Sequence, residues 1–388
     1  MAHTVVTRQS WFSRIGGAFK GILIGIVLVV VAFIVLFMNE GRAVRRHKTL
    51  QEGAGLAVTI DSNAVNEKNN GKLVHVSGLA TTDMILTDPI FEVSANAIHL
   101  KRDVEMYQWQ ENVKTETVTK TGGARETTKT YTYEKTWSKE LIDSSDFVDK
   151  EGGYVNPSVM LYKPDGWSSP VVTLGAFRLP DVLRDRINNF SKLTVSEENV
   201  VPENLGEKAR VFDSGFYIGA DPMTPEIGDF RVAFEVVYPT DISIIARQNG
   251  NTFETFTTPK TGGKLLELMI GTFSKEAMFE TAESANRTLT WILRLVGFFL
   301  FFIGFSMIFN PFKVVADVLP FMGKIVGAGV GIISFLLALM LSFLVISFAW
   351  IFYRPLIGIP LLIVAVVLIY LIFSKINKAK APAPTPAS

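Results

Sequence analysis

Four long apolar runs dominate the pattern of hydrophobic and polar positions along this chain. They cover residues 21–38, 291–309, 325–353 and 355–373. The first run contains 18 residues and no charge. A helix rises about 1.5 Å per residue, so a run of about 20 apolar residues crosses a hydrocarbon layer about 30 Å thick. The pattern therefore predicts four transmembrane helices, one near the N-terminus and three near the C-terminus.

Between the first and second runs, apolar and polar positions alternate with a period of two. Such alternation, rich in β-branched and aromatic residues, predicts strands. The predicted strands are residues 73–80, 171–174, 210–218, 229–238, 241–247 and 252–257. The predicted fold class is thus an α+β membrane protein, with a large β-rich extramembrane domain over residues 39–290.

Two glycine-containing turns predict β-hairpins in this domain. Asn249 and Gly250 separate the last two predicted strands, and an Asn-Gly pair is a strong hairpin signal. Gly122 and Gly123 separate two polar segments rich in Thr, Lys and Glu. We expect this second hairpin, over residues 113–137, to project into solvent or to cover a partner's sheet edge.

Two segments of this domain have helical signals. Pro180 and Asp181 predict a helix start and a helix over residues 181–190. Residues 263–287 have amphipathic spacing, which fits either a helix on the membrane surface or one packed on the domain's own sheet.

The segment between the second and third apolar runs, residues 310–324, is too short and too charged to span. It contains Lys313 and Asp317, and Pro320 lies near its end. This composition predicts an interfacial or re-entrant helix.

The composition excludes several classes of chemistry. The formal net charge is +1, which provides no electrostatic basis for binding nucleic acid. There is no Cys, and no two of the four His residues have a metal-ligand spacing. None of the common catalytic or nucleotide-binding motifs is present. The sequence therefore predicts no catalytic residue, no cofactor and no metal site.

Basic residues near the spans predict the orientation. The N-terminal tail, residues 1–20, contains Arg8, Arg14 and Lys20 but no acid, and the C-terminal tail, residues 374–388, contains three Lys and no acid. Positive residues favour the cytoplasmic side. We expect both tails to be cytoplasmic and the C-terminal one, which ends in a Pro/Ala-rich stretch, to be disordered. A basic cluster that begins at Arg42 follows the first apolar run, on the side predicted to be non-cytoplasmic, and counts against this orientation.

Two glycine ladders lie at the N-terminal ends of the first and third apolar runs, and each begins a few residues before its run. Each has three glycines spaced four residues apart: Gly17, Gly21 and Gly25, and Gly323, Gly327 and Gly331. Such a stripe allows two helix backbones to approach closely. On the predicted topology both ladders lie at the cytoplasmic ends of spans that run in the same direction. This arrangement therefore predicts that the two ladders face each other within one chain, or that they mediate contact between the protomers of a homo-oligomer.

Two ionisable residues lie at the edge of the predicted membrane segments. Glu40 follows the first apolar run, and Arg294 lies about one turn inside the second. An ionisable group in hydrocarbon needs a partner or a wet cavity. A Glu40–Arg294 ion pair is one interpretation, and extension of Arg294 to the lipid headgroups is the other.

The sequence resembles the LUMA family (transmembrane protein forty-three). The residues that carry the resemblance are Ser10-Trp11-Phe12-Ser13-Arg14-Ile15-Gly16, Asn39-Glu40-Gly41-Arg42-Ala43-Val44, Gln51-Glu52-Gly53-Ala54-Gly55, Ala316-Asp317-Val318-Leu319-Pro320-Phe321-Met322-Gly323 and Val326-Gly327-Ala328-Gly329. The arrangement of one span, a large domain and three further spans is also similar.

This resemblance implies a protein of the endoplasmic reticulum and inner nuclear membrane that forms oligomers and organises membranes, with lamins and emerin as partners in animals. The absence of Cys instead favours a bacterial member of the family, in the cytoplasmic membrane with a periplasmic domain. In a bacterium the animal partners would not apply, so the protein partners remain open.

Three functions are compatible with these features. The first is a non-enzymatic, oligomeric membrane organiser or scaffold, favoured by the glycine ladders and the resemblance. The second is an oligomeric pore or a conduit for lipid or solute. The third is an envelope stress sensor or enzyme with a site in the extramembrane domain.

Overall fold

The fold was obtained as a computed structural model, which describes residues 3–196, 202, 205–206, 208–356, 358–360, 363 and 367. It divides into two compact units. Unit 1 comprises Met1–Arg8, Thr49–Val118 and Glu126–Ala282, and unit 2 comprises Gln9–Lys48, Thr119–Arg125 and Glu283–Ser388.

The described chain has helices and strands in the following order. The helices are α1 (Trp11–Leu56), α2 (Asp181–Arg184), α3 (Lys275–Ala316) and α4 (Pro320–Tyr353). The strands are β1 (His3–Gln9), β2 (Val58–Thr59), β3 (Leu73–Thr81), β4 (Ile85–Thr87), β5 (Ser94–Asn96), β6 (His99–Thr119), β7 (Arg125–Ser138), β8 (Asp165–Ser168), β9 (Thr173–Leu174), β10 (Phe177–Arg178), β11 (Ser191–Leu193), β12 (Ala209–Phe212), β13 (Gly215–Ile218), β14 (Phe230–Val237), β15 (Thr240–Asn249), β16 (Thr252–Glu254), β17 (Phe256–Thr257), β18 (Lys264–Leu265) and β19 (Glu267–Ile270).

Unit 1 is built around two larger sheets. The first has the strand order β1-β7-β6-β14-β13-β12, with β11 on β14 and β8 on β6. The second has the order β10-β9-β3-β15-β16, with β19 on β15 and β2 on β3. The β-rich extramembrane region predicted from the alternation is therefore present.

Each of the two sheets has its own hydrophobic core. In β14 the buried side chains alternate, with Phe230, Val232 and Phe234 buried on one face against β6 residues such as Val104. In β15 the run from Ile242 to Ala246 is buried without interruption, because this central strand is covered on both faces.

The segment that had a helical pattern before the second apolar run, residues 263–287, is strand in its first part and helix in its second. Leu265 lies in β18, and Leu268 and Met269 lie in β19, which pairs with β15. The helix α3 begins only at Lys275, after Ser274, whose side chain accepts a hydrogen bond from Ala277 N. Met278 and Phe279 pack on Leu73 and Ile245 of unit 1, so the first turns of α3 cover the domain's own sheet.

Two other local predictions are wrong in their extent. The predicted strand 210–218 is a hairpin, β12 and β13, because Asp213 and Ser214 both adopt positive φ angles, 47° and 62°. The predicted helix 181–190 ends at Arg184, and Ile187, three residues further on, is fully buried in the core.

Both predicted hairpins are present. Gly250 has a φ of 58° in the turn that joins β15 to β16. In the β6–β7 hairpin, Gly122 and Gly123 have φ angles of 88° and 77°, in a region of backbone space that favours glycine.

Unit 2 is dominated by three long helical segments that are long and apolar enough to cross a membrane. They belong to α1, α3 and α4. Their packed core includes Ala32 and Leu36 of α1, Phe301 of α3, and Ala338 and Val345 of α4. The protein is therefore an integral membrane protein with three spans in the described part of the chain.

The segment between the second and third predicted spans differs from its prediction. Residues 310–324 do not form a separate interfacial helix: α3 continues through Pro311 to Ala316, and Pro320 occupies the first position of α4. The described residues contain three spans, and most of the fourth predicted span, residues 355–373, lies outside the described residues.

Candidate functional site

A buried polar cluster lies at one end of the three helices of unit 2. The Glu40 side chain of α1 is fully buried and accepts hydrogen bonds from Arg294 Nε of α3, at 2.7 Å, and from Trp350 Nε1 of α4, at 2.8 Å. The Arg294 guanidinium also lies 4.7 Å from the centroid of the Trp291 ring. One carboxylate thus joins all three helices, and Glu40 and Arg294, which the sequence analysis singled out, form an ion pair.

A second set of polar contacts extends this cluster along α1 and α3. Asn39 Nδ2 donates to the Thr290 carbonyl at 3.0 Å. Arg42 donates to Asn286 Oδ1 at 3.1 Å and to the Thr290 hydroxyl at 3.0 Å. Because these three hydrogen bonds join α1 to α3 at fixed positions, they set the register of one helix against the other.

A second buried ion pair lies at the opposite end of the three helices. Arg14 of α1 donates to Asp317, which lies between α3 and α4, and the two side chains are only 3 % and 6 % exposed. Trp11 Nε1 donates to the Val314 carbonyl at 2.8 Å. Asp317, in the segment predicted to be interfacial, is therefore the partner of Arg14. The sequence pattern had indicated only that Arg14 is one of the basic residues of the N-terminal tail.

The turn of the β6–β7 hairpin belongs to this same end of unit 2. Gly122 N donates to the Val318 carbonyl at 3.0 Å, and Arg14 donates to the Gly123 carbonyl. The expectation that this hairpin projects into solvent is therefore wrong at its turn. Gly123 is buried because it packs against the Trp11 ring.

The first glycine ladder faces α3. A Cβ atom at Gly25 would lie 2.6 Å from the Gly304 carbonyl oxygen, and one at Gly21 would lie 3.8 Å from the Met307 side chain. At Gly17 a Cβ atom would meet nothing within 4 Å. Gly25 and Gly304 therefore form a close backbone contact between α1 and α3.

The second glycine ladder does not face the first. A Cβ atom at Gly323 would clash with Asp317, and one at Gly327 would lie 3.2 Å from the aliphatic part of Lys313. Gly331, by contrast, has nothing within 4 Å of its Cβ position. Four of the six ladder glycines thus pack within the chain, whereas Gly17 and Gly331 have no described atom within 4 Å of their Cβ positions.

Several residues of these sites carry sequence signals of other kinds. Trp291 and Trp350 lie near the ends of apolar runs, where Trp side chains form an aromatic belt at the membrane boundary. This position is the sequence signal that could have pointed to Trp350 as a residue of the cluster. Gly304 lies within a run of mostly large aromatic and aliphatic side chains in α3, residues 298–309. Among the described residues, no three His, Asp or Glu side chains are grouped so that they could hold a metal ion.

Comparisons with known proteins cover most of the chain. The sequence model of the family described as transmembrane protein 43 matches residues 106–355. Transmembrane protein 43 of Rattus norvegicus is 32% identical over 368 residues, which are 91% of this chain and 90% of the relative. The Homo sapiens protein is 32% identical over 90% of this chain and 88% of its own length, and a Drosophila melanogaster homolog is 28% identical over 88% and 91%. No solved structure matches this chain.

Proposed function

This chain belongs to the transmembrane protein 43 family, and from this premise we propose that it is a non-enzymatic, oligomeric membrane organiser. In this function the helices of several chains associate in the bilayer, and the β-rich domain is displayed at the membrane surface. The lipid bilayer and further copies of the chain are its proposed partners.

One observation carries the proposal: among the described residues, glycines at the surface of unit 2 have no neighbouring atom within 4 Å of their Cβ positions. Gly17 is exposed on α1, and Gly331 is partly exposed on α4. In hydrocarbon, helices associate through small residues that let backbones approach, because lipid and apolar side chains are equally nonpolar. Gly331 is thus a position where a second chain could pack closely.

The pore or conduit alternative receives less support from the helices. Ser334 is fully buried and Ser342 is 7% exposed, on the α4 face that contains the core residue Ala338. An apolar groove of ≈ 610 Å³ between α1 and α4 is lined by residues such as Val29, Phe33 and Leu344. The described helices of one protomer therefore do not support a water-filled pore, which would need a polar lining.

The test of oligomerisation is the particle mass of the protein in nanodiscs, measured by light scattering. We expect wild type to form a discrete oligomer and Gly331→Leu to reduce its mass, because a leucine side chain would separate the two backbones. The matched control is Gly329→Leu. Its Cβ position is equally open, but two residues at about 100° per residue place it on nearly the opposite side of α4.

Two results would contradict the proposal. The first is a wild-type particle that contains a single chain. The second is an oligomer that keeps its mass in Gly331→Leu, or that loses it equally in Gly329→Leu. Since no described atom lies within 4 Å of the Cβ position at Gly329 or Gly331, we expect both variants to unfold at the wild-type temperature.

We further propose that both tails are cytoplasmic and that the domain lies on the other side. The basic tails support this orientation. The lack of Cys supports the bacterial cytoplasmic membrane as the location, with the endoplasmic reticulum or inner nuclear membrane as the alternative.

Because the chain has no Cys, single cysteines report sidedness without background labelling. We expect Gln9→Cys and Ser388→Cys to react with a membrane-impermeant maleimide only after the cytoplasmic side is opened, and Asn251→Cys to react in intact cells or sealed vesicles. Labelling of Gln9→Cys and Ser388→Cys from opposite sides would mean an odd number of spans.

A further inference from the structure

A cavity opens beside the Glu40 cluster within unit 2. Its volume is ≈ 600 Å³, and it lies among α1, α3 and the end of α4. Trp291, Trp350 and Tyr353 contribute aromatic walls. The basic residues that line it are Lys48, Arg287, Arg294 and Arg354.

Two of these cations have no partner among the described residues. In the part of the chain that the structure describes, Lys48 and Arg287 make neither a hydrogen bond nor an ion pair, and both residues are exposed. The Arg354 guanidinium lies 5.9 Å from the centroid of the Trp350 ring. The charges at the mouth of the cavity are therefore available to an anionic ligand.

The acidic residues near the cavity do not cancel this charge. Glu283 lines the cavity and pairs with His47 Nδ1 at 2.9 Å, while Glu40 lies behind the wall and is bound by Arg294 and Trp350. Four permanent cations against these two carboxylates leave an excess of two positive charges when His47 is neutral.

The cavity lies where the three helices pass from apolar to polar sequence. The apolar runs of α1 and α3 meet polar residues at Asn39 and Thr290, which are hydrogen-bonded to each other. The apolar run of α4 ends at Tyr353, next to Arg354. Trp and Tyr side chains are enriched at the headgroup level of a bilayer, so the aromatic walls belong at that depth.

From this geometry we infer that the cavity binds the phosphate of an anionic phospholipid headgroup. Lys48 and Arg287 contact the phosphate at the mouth, and Arg guanidinium groups match phosphate oxygens in a bidentate geometry. Trp291 and Tyr353 lie against the glycerol region. The shared chemistry is a phosphate group, and the membrane location of the cavity makes a lipid its source. This inference stands apart from the proposed oligomer, since all of the lining residues belong to one chain.

The test is native mass spectrometry of the full-length protein in detergent, titrated with dioleoyl-phosphatidylglycerol. Dioleoyl-phosphatidylcholine has the same acyl chains and the same phosphate but no net charge, and sn-glycerol 3-phosphate provides the soluble phosphate. We expect tight binding of phosphatidylglycerol, weaker binding of phosphatidylcholine, and no saturable binding of glycerol phosphate.

The double variant Lys48→Gln/Arg287→Gln is expected to bind phosphatidylglycerol about thirtyfold more weakly. Each Lys or Arg near an anionic lipid headgroup contributes about fivefold in affinity. The matched control is Lys20→Gln/Lys324→Gln, which removes the same charge from exposed positions at the other end of the helices. Arg287→Lys is expected to retain part of the affinity, because lysine keeps the charge but loses the bidentate contact.

Three results would overturn the inference. Equal affinity for phosphatidylcholine would mean that the headgroup charge is not recognised. Equal affinity for glycerol phosphate would make soluble phosphate the ligand. An equal loss in the Lys20→Gln/Lys324→Gln control would reduce the effect to overall charge. A wild-type melting temperature of the double variant separates lost binding from lost folding.

Discussion

Replacing Glu40 with Ala is expected to lower the free energy of unfolding of the helical unit by about 3–5 kcal/mol, the usual effect of removing one partner of a buried ion pair. The Glu40 carboxylate is the acceptor for both Arg294 and Trp350. Without it, the Arg294 guanidinium, whose side chain is 15% exposed, keeps its charge near the hydrocarbon edge with no carboxylate. Reversible unfolding in mixed micelles, followed by circular dichroism, measures the change.

Two controls separate the ion pair from a general effect of losing a glutamate. Glu280 is exposed on α3, so Glu280→Ala is expected to change the unfolding free energy by at most about 0.5 kcal/mol. The double variant Glu40→Ala/Arg294→Ala should lose less stability than the two single losses added together, since the uncompensated charge is gone. If Glu40→Ala unfolds like Glu280→Ala, the carboxylate does not hold the helices together.

The pair of Glu40 and Arg294 shows how far sequence reasoning reaches in a membrane protein. Both residues lie at the edges of apolar runs. Because a charged side chain in hydrocarbon needs a partner, an ion pair between them was one of two interpretations of the sequence. Trp350 lies 310 residues further along the chain than Glu40, and its ring N–H carries no charge that requires a partner. The hydrogen bond from Trp350 to Glu40 depends on how α4 packs against α1, and the pattern of apolar and polar residues does not predict this packing.

The β-rich domain was predictable where one feature controlled the local structure. Alternation identified β3 and β14, and the Asn-Gly signal identified the β15–β16 hairpin. The β12–β13 turn was missed because Asp213 and Ser214 adopt positive φ angles without a glycine. The short strands β18 and β19 were missed because residues 265, 268 and 269 happen to have helical spacing, and pairing with β15 overrides it.

The partners of the glycine ladders could not be predicted from the spacing of the glycines. A spacing of four aligns glycines on one side of a helix, but it does not say which neighbour that side faces. The expectation that the two ladders could face each other is not what the structure shows: Gly25 contacts α3, and Gly323 contacts Asp317. The unrecognised partner was Gly304, an isolated glycine with no ladder of its own.

The close contact at Gly25 leads to the second large effect. Gly25→Leu is expected to lower the free energy of unfolding by about 3 kcal/mol, at the upper end for an overpacked site. Its Cβ atom would lie 2.6 Å from the Gly304 carbonyl oxygen and 2.8 Å from Ile308 Cγ1. Because a backbone atom blocks the side chain, α1 and α3 must separate to admit it. Gly17→Leu, in the same ladder but with nothing within 4 Å of its Cβ position, is the matched control and should unfold like wild type.

A graded series distinguishes a contact within the chain from one between chains. If Gly25 packs on Gly304, the loss of stability should increase from Gly25→Ala to Gly25→Leu at every protein concentration. The same substitutions at Gly304 should give losses that do not add to those at Gly25, because either one already separates the helices. A loss that disappears when the protein is diluted to single chains would instead place Gly25 at a contact between protomers. Equal unfolding of Gly25→Leu and Gly17→Leu would mean that α1 and α3 do not cross at Gly25.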